Sequence, residues 1–158
     1  EKRSFKKGDF LLFDGDIQKE LFLVRAGVTH TFLEMKKKRK IIDFSYNNRF
    51  CADFKSFTTQ TPAKYAIQCL EDCEIESISF QSLQYLFDQA SSIERAYRLL
   101  LERILSGIID KSINNEICTI NDRFEWVMQK QPELFKLVPH KYIASYINID
   151  TTNFSKLY

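Results

Sequence analysis

The sequence predicts an α+β protein: a small antiparallel sandwich or barrel of short strands, one long helix, and a C-terminal group of short helices. Three observations carry that reading. From Ser4 to Ser79, short apolar runs recur about every ten residues with Gly or Asp at the corners, the pattern of an antiparallel all-β unit. Ser91–Asn115 then sets apolar residues at spacings of three and four, the period of a helix. Beyond it the chain reads as short helices, interrupted at Gln131-Pro132 and Val138-Pro139.

The strands follow in order. Ser4–Phe13 turns at Gly8-Asp9, Asp14-Gly15-Asp16 makes a second turn, and Glu20–Arg25 is a short apolar strand. Ala26-Gly27 reverses the chain into Val28–Met35. Lys36–Lys40, an unbroken basic run, is read as the solvated tip of a hairpin leading to Ile41–Tyr46. Its charge blocks edge pairing, and we prefer that role to a nucleic-acid contact. Asn47–Pro62 loses the alternation and is polar, with Phe50, Phe54 and Phe57 expected to fill the interior. Tyr65–Leu70 and Glu74–Ser79 resume strand character around Glu71-Asp72, and Gln81–Asp88 is a short amphipathic helix.

In the long helix the stripe comprises Ile93, Tyr97, Leu100, Leu101, Ile104, Leu105, Ile108 and Ile109, widened by Ala96 and Leu99. A stripe that broad buries more than one face, and it predicts a homodimer through Ser91–Asn115. In Ile120–Lys130, Asp122 is the expected N-cap, with Glu125 at capping-box spacing. Pro132–Leu137 makes a brief turn of helix. His140–Ile147 then presents Ile143, Ala144 and Ile147 inward. Asn148 stands where the chain needs a residue that tolerates left-handed geometry, Ile149 anchors the turn, and Asp150 is a good N-cap. Phe154 and Leu157 form the buried side of a second helix, and small Ala144 lets the two helices cross closely. This is the layout of a helix-turn-helix.

Composition excludes more than it assigns. A chain of 158 residues with 44% apolar content can bury one sizeable core or two small ones. A net charge of +2 neither demands nor excludes an anionic partner. No apolar run reaches membrane-spanning length and no secretory signal opens the chain, so a cytoplasmic protein with no membrane partner is expected. Cys51, Cys69, Cys73 and Cys118 lack the CxxC spacing of a zinc or redox site and are read as reduced, small apolar side chains. With only His30 and His140, one in each half, a cupin-type metal centre has no ligand set. No carboxylate pair, Ser/His/Asp set or metal cluster suggests an enzyme. The missing initiator Met and the stop at Tyr158 predict residues beyond both ends.

The order Lys7-Gly-Asp, Asp14-Gly-Asp, Leu21-Phe-Leu-Val and Gly27, then a charged hairpin, Thr61-Pro62 and Leu70-Glu-Asp-Cys-Glu-Ile75 with Ile78-Ser79 resembles a cyclic-nucleotide-binding-like β-roll. This double-stranded β-helix is the sensor domain of Crp/Fnr regulators. In that family a short helix presents Gly-Glu to the ribose and a following Arg neutralises the cyclic phosphate. Here the region reads Cys51-Ala-Asp-Phe-Lys-Ser-Phe57 without Gly-Glu, and Ala63 stands where the Arg should be. Lys64 could supply charge but not the planar fork. The resemblance therefore implies a degenerate cassette that does not take cAMP, and no cofactor. Asp53, Ser56 and Lys64 are the residues nearest its remnant.

Residues Pro139–Tyr158 resemble the DNA-binding end of the same regulators, in the form Pro-x-x-Tyr-Ile-Ala-Ser-Tyr-Leu-Gly-Ile-Thr, then Leu-Ser-Arg, of a Bacteroidetes-type subgroup. The departures are Asn148 for Gly, Asp150 for Thr and Lys156 for Arg. By that resemblance Thr151, Thr152, Asn153, Ser155 and Lys156 lie on the outer face of a recognition helix. Thr151, Thr152 and Lys156 would be closest to base edges, while Ser155 and Lys141 suit phosphates. The resemblance implies a sensor domain over 1–90, a dimerisation helix over 91–117 and a helix-turn-helix domain over 118–158, the last incomplete at its C-terminus. It implies double-stranded DNA as partner and admits RNA polymerase as a second. The rival expectation is a regulatory or protein-interaction module whose helix-turn-helix has decayed.

Overall fold

The computed structural model describes residues 1–36 and 38–158, in two compact units, Glu1–Ser82 and Leu83–Tyr158. In the first unit the described strands are β1 (Lys2–Phe5), β2 (Phe10–Leu12), β3 (Glu20–Ala26), β4 (Val28–Met35), β5 (Lys38–Tyr46), β6 (Arg49–Cys51), β7 (Ala66–Cys69) and β8 (Cys73–Ser79). They form two four-stranded antiparallel sheets, ordered β1-β8-β3-β6 and β2-β7-β4-β5. The helix α1 (Phe54–Thr59) is inserted between β6 and β7.

The corners obey the turn chemistry of the sequence. Gly27 sits at φ +84° between β3 and β4, and a Cβ there would lie 2.4 Å from the Asp72 carbonyl oxygen and 2.6 Å from Cys73 Sγ. Only glycine meets both demands. Asn47 and Asn48 are both left-handed, at φ 47° and 63°, and lead the chain from β5 into β6. One core cluster gathers Leu12, Phe22, Val24, Cys51, Ala63, Ile67, Cys69, Cys73 and Ile75. Phe32, Phe44 and Phe57 are also fully buried.

Three expectations in this unit need correction. The basic run is not all hairpin tip, because Met35 already pairs with Lys38, so Lys38, Arg39 and Lys40 are strand residues. Lys37, also assigned to the tip, lies outside the described residues. The reason is an anchor: the Arg39 guanidinium lies 4.3 Å from the Phe32 ring centroid and donates to Glu34 at 3.2 Å and Gln68 at 2.9 Å. Asn47–Pro62 is not an irregular stretch but holds β6 and α1. Of its three phenylalanines only Phe57 is fully buried, edge-on to Phe80 at 5.5 Å, while Phe50 and Phe54 are half-buried.

Helix α2 (Phe80–Gln89) runs from the first unit into the second, which also holds α3 (Ser91–Ile117), α4 (Ile120–Lys130), α5 (Leu134–Leu137), α6 (His140–Tyr146) and α7 (Thr151–Leu157). Helix α3 buries Asn114, yet leaves Leu99, Leu105, Ile108, Ile109, Ile113 and Ile117 exposed. Helix α4 is capped by Thr119, not by Asp122. The Thr119 hydroxyl accepts from the Asp122 N–H, and the Asp122 carboxylate accepts from the Thr119 N–H at 3.0 Å, so the box closes one turn earlier than expected and Glu125 takes no part. Val127, Leu134, Ile143, Ala144, Ile147 and Phe154 make the core of the helical group. Around Phe154 stand Phe124, Phe135 and His140, with ring centroids 5.4, 6.2 and 5.8 Å away.

Candidate functional site

In the first unit, the ligand-side residues expected from sequence surround a hollow of about 250 Å³ lined by Asp53, Lys55, Ser56, Thr61, Pro62, Lys64 and Tyr65. The structure thus brings Asp53, Ser56 and Lys64 together. It also fixes what each polar group does. Asp53 caps α1: Oδ1 accepts from the Ser56 N–H and Oδ2 from the Lys64 N–H, both at 3.0 Å. Its own N–H donates to Gln18 Oε1 at 3.1 Å, and the Gln18 N–H donates to Ser56 Oγ at 2.9 Å. The Ser56 hydroxyl donates in turn to the Thr61 carbonyl at 2.5 Å. Gln60, left-handed at φ 52°, closes the ring by donating to the Gln18 and Phe57 carbonyls at 3.1 and 2.7 Å.

Sequence reasoning missed Gln18 and Gln60, which hold this network. The spacing of Asp53 and Ser56 was the available signal, since an Asp three residues before a backbone donor is a helix cap. Gln18 had none, for a polar residue on a loop looks the same whether it is buried or solvated.

These residues do not fit a cyclic phosphodiester. Both Asp53 oxygens already occupy the N–H groups that an anion would need, and their charge would repel it. Ala63 turns its methyl into the core cluster, with its backbone tied to the Asp16 carbonyl at 2.8 Å and the Gly15 N–H at 3.0 Å. The cations on the hollow, Lys55 and Lys64, are exposed. A lysine in water offers a screened point charge in place of a buried fork.

Other chemistry in this unit is subdued. Burial pushes the Cys51 thiol up to about 11, and Cys69 is raised chiefly by its hydrogen bond with Cys73 and then by burial, so neither is a ready nucleophile. Among the described residues, no group of three or more His, Cys, Asp or Glu side chains could hold a metal ion. Among them too, no helix is long and apolar enough to cross a membrane.

The second candidate is the pair α6–α7. Asn148 is left-handed at φ 56°, as the turn requires, and the Ile149 N–H donates to the Ala144 carbonyl at 2.9 Å. Asp150 caps α7 by accepting from the Thr152 N–H at 2.8 Å. Arg123, on α4, holds the turn from outside by donating to the Asn148 and Ile147 carbonyls at 2.8 and 3.3 Å. This role escaped the sequence, where Arg123 was one surface charge among several. Phe154 is buried on one side of α7, while Thr151, Thr152, Asn153, Ser155 and Lys156 are all exposed. Lys141, exposed on α6, lies 5.0 Å from the Tyr142 ring centroid. The side chains named from sequence are therefore all accessible to solvent, five on α7 and Lys141 on α6.

Comparison with known proteins adds a family and a fold. The cyclic nucleotide-binding domain family matches residues 2–90. No curated protein sequence matches the chain. Among solved structures, FixK2 from Bradyrhizobium japonicum superposes with a TM-score of 0.84 at 12% identity, covering 99% of this chain and 81% of that one. The c-di-GMP responsive global regulator CLP from Xanthomonas campestris gives 0.70 at 18% identity, covering 99% and 84%. The Thermus thermophilus catabolite activator protein gives 0.61 at 15% identity, covering 99% and 76%. At such identities the likeness is one of fold. With its residues 2–90 matched by the family and folded into a two-sheet antiparallel roll, the chain belongs to the cyclic nucleotide-binding domain family.

Proposed function

We propose that this chain is a sequence-specific DNA-binding transcription regulator of the Crp/Fnr type, a homodimer through α3 that reads double-stranded DNA with α7. The observation that carries the reading is the α6–α7 pair. Its left-handed Asn148, its capped α7 and its buried Phe154 leave five polar side chains facing solvent on a helix that could enter a major groove. Thr151, Thr152 and Lys156 are assigned to base edges, Asn153 to the same face, and Ser155 and Lys141 to phosphates. Residues 118–158 then act as a helix-turn-helix domain, 91–117 as the dimerisation helix and 1–90 as the sensor.

The dimer is supported by α3 itself, where Ile108 is 60% exposed and Ile117 78%. Isolated apolar side chains on a surface are ordinary, but a stripe along one helix calls for a partner. The sensor acts without cAMP, because Asp53 closes the cassette upon itself. The regulator would work in a bacterial cytoplasm, with RNA polymerase as a second partner. From Asn121 to Tyr158 five basic side chains face four acidic ones, a sparse charge that favours the rival module, in which the pair has stopped reading DNA.

Selection of genomic fragments by the full chain tests the reading, with light scattering run alongside. Enrichment of a two-fold symmetric sequence by a species of twice the chain mass is the expected result. Ile108→Asp should halve that mass. A monomer that enriches no sequence would hand the case to the interaction module.

A further inference from the structure

Helix α3 meets α6 through a polar contact. Lys111 Nζ lies 3.5 Å from the centroid of the Tyr146 ring. Gln131, at the C-cap of α4, donates to the Tyr146 hydroxyl at 3.0 Å. Tyr146 and Gln131 are both buried. Asn114 stands three residues beyond Lys111, on the same face of α3, and is buried with no hydrogen-bond partner for its Nδ2 among the described residues. Around this contact, then, α3 presents polar groups inward and leaves Ile108, Ile109 and Ile113 exposed.

That arrangement inverts ordinary helix packing. An apolar seam would bind α3 firmly in many nearby orientations, because burial is not directional. A cation over a ring favours one geometry and adds modest stability. An unpaired buried amide favours any arrangement that supplies an acceptor. Tyr146 is also the last residue of α6, two before left-handed Asn148, so displacing its ring displaces the turn and α7 with it.

We infer that Lys111 and Tyr146 form the joint that sets the orientation of α6 and α7 on α3, which makes Tyr146 a positioning residue for DNA reading. The inference rests on the DNA-reading assignment above. Three variants of the full chain test it: Lys111→Met, Lys111→Arg and Tyr146→Phe. Two readouts are taken, hydrogen exchange of the amides in α6 and α7 and affinity for a selected DNA site. Lys111→Met should speed exchange severalfold and weaken cognate DNA by about fivefold to tenfold, at unchanged mass and helicity. Lys111→Arg, which restores a cation over the ring, should return both to wild type. Tyr146→Phe keeps the ring and removes the hydroxyl that accepts from Gln131, so it should fall between them. The joint is refuted if Lys111→Met matches wild type in both readouts, or if Lys111→Arg is as impaired as Lys111→Met. Should the wild type select no DNA site, the DNA-reading assignment fails by itself and exchange decides alone: a rise in Lys111→Met that Lys111→Arg reverses upholds the joint, and no rise in Lys111→Met refutes it.

Discussion

Asp53 and Asp150 each cap a helix, and the two caps have opposite consequences. Asp53 is buried, and both of its oxygens are committed to backbone donors, Ser56 on α1 and Lys64 on the segment leading to β7. Asp150 is exposed and caps α7 at Thr152, beside five side chains open to solvent. A buried cap consumes the polar groups around it, since leaving any of them unpaired would cost on the order of 1–3 kcal/mol. An exposed cap orders its helix and leaves the outer face available. The same residue type at the same helical position thus ties up the polar groups of one region and leaves those of the other open to solvent.

The largest effect separates the two faces of α7. Phe154→Ala empties the aromatic cluster and should cost about 3–5 kcal/mol, unfolding the helical group, whereas Ser155→Ala, one residue on, should leave stability within about 0.5 kcal/mol. Thermal melts followed by Trp126 fluorescence, which reports the helical group, would show the contrast. Equal losses would mean that α7 has no outer face.

Acid should sharpen the contrast from the side of the roll. Burial lowers the His30 pKa from 6.5 to about 4, with Gln68 and Arg39 beside the ring. The unfolded chain takes up the proton near 6.5 while the folded one resists it to about 4, so His30 costs nothing above the first value and destabilises progressively between the two. The full effect is about 3 kcal/mol. Urea melts at pH 7.5 and 4.5 should show the loss, and His30→Gln should remove most of it. An unchanged pH profile in His30→Gln would place the acid sensitivity elsewhere.

The self-closed cassette predicts a smaller reading. Calorimetric titration with cAMP or cGMP should give no heat of binding at ligand concentrations of about 100 μM, because losing a charge-assisted bidentate contact costs over a hundredfold in affinity. Asp53→Ala should destabilise the roll by about 1–2 kcal/mol without creating a site. A micromolar constant for wild type would show that Lys64 replaces the missing guanidinium.

What could be read from sequence was whatever local chemistry dictates. The β3 and β4 strands, the turn at Ala26-Gly27, the left-handed Asn148 and the Asp150 cap follow from residue type and spacing, because each is decided within a few residues. The long helix was legible for the same reason. The rest depended on partners far along the chain. Arg39 left the hairpin tip because Phe32 and Gln68 anchor it, and Gln18 became the hub of the cassette because Ser56, Asp53 and Gln60 converge on it. Arg123 capped the α6–α7 turn from another helix. Thr119 caps α4 in place of Asp122, since either residue type could close a box and only the register of α4 decides.

The central claim is that the exposed face of α7 reads DNA. A mobility-shift titration of the full chain on a selected site, at two salt concentrations, tests it most directly. The account predicts sequence preference in wild type, and a loss of about 1–3 kcal/mol in Lys156→Ala that flattens preference at one base pair if Lys156 meets a base. If Lys156 meets a phosphate, binding weakens on all sequences and the salt slope falls by about one. Thr152→Ala should alter preference more than affinity, since a neutral hydroxyl adds little to non-specific attraction. Wild type without sequence preference, unaffected by either substitution, would contradict the account.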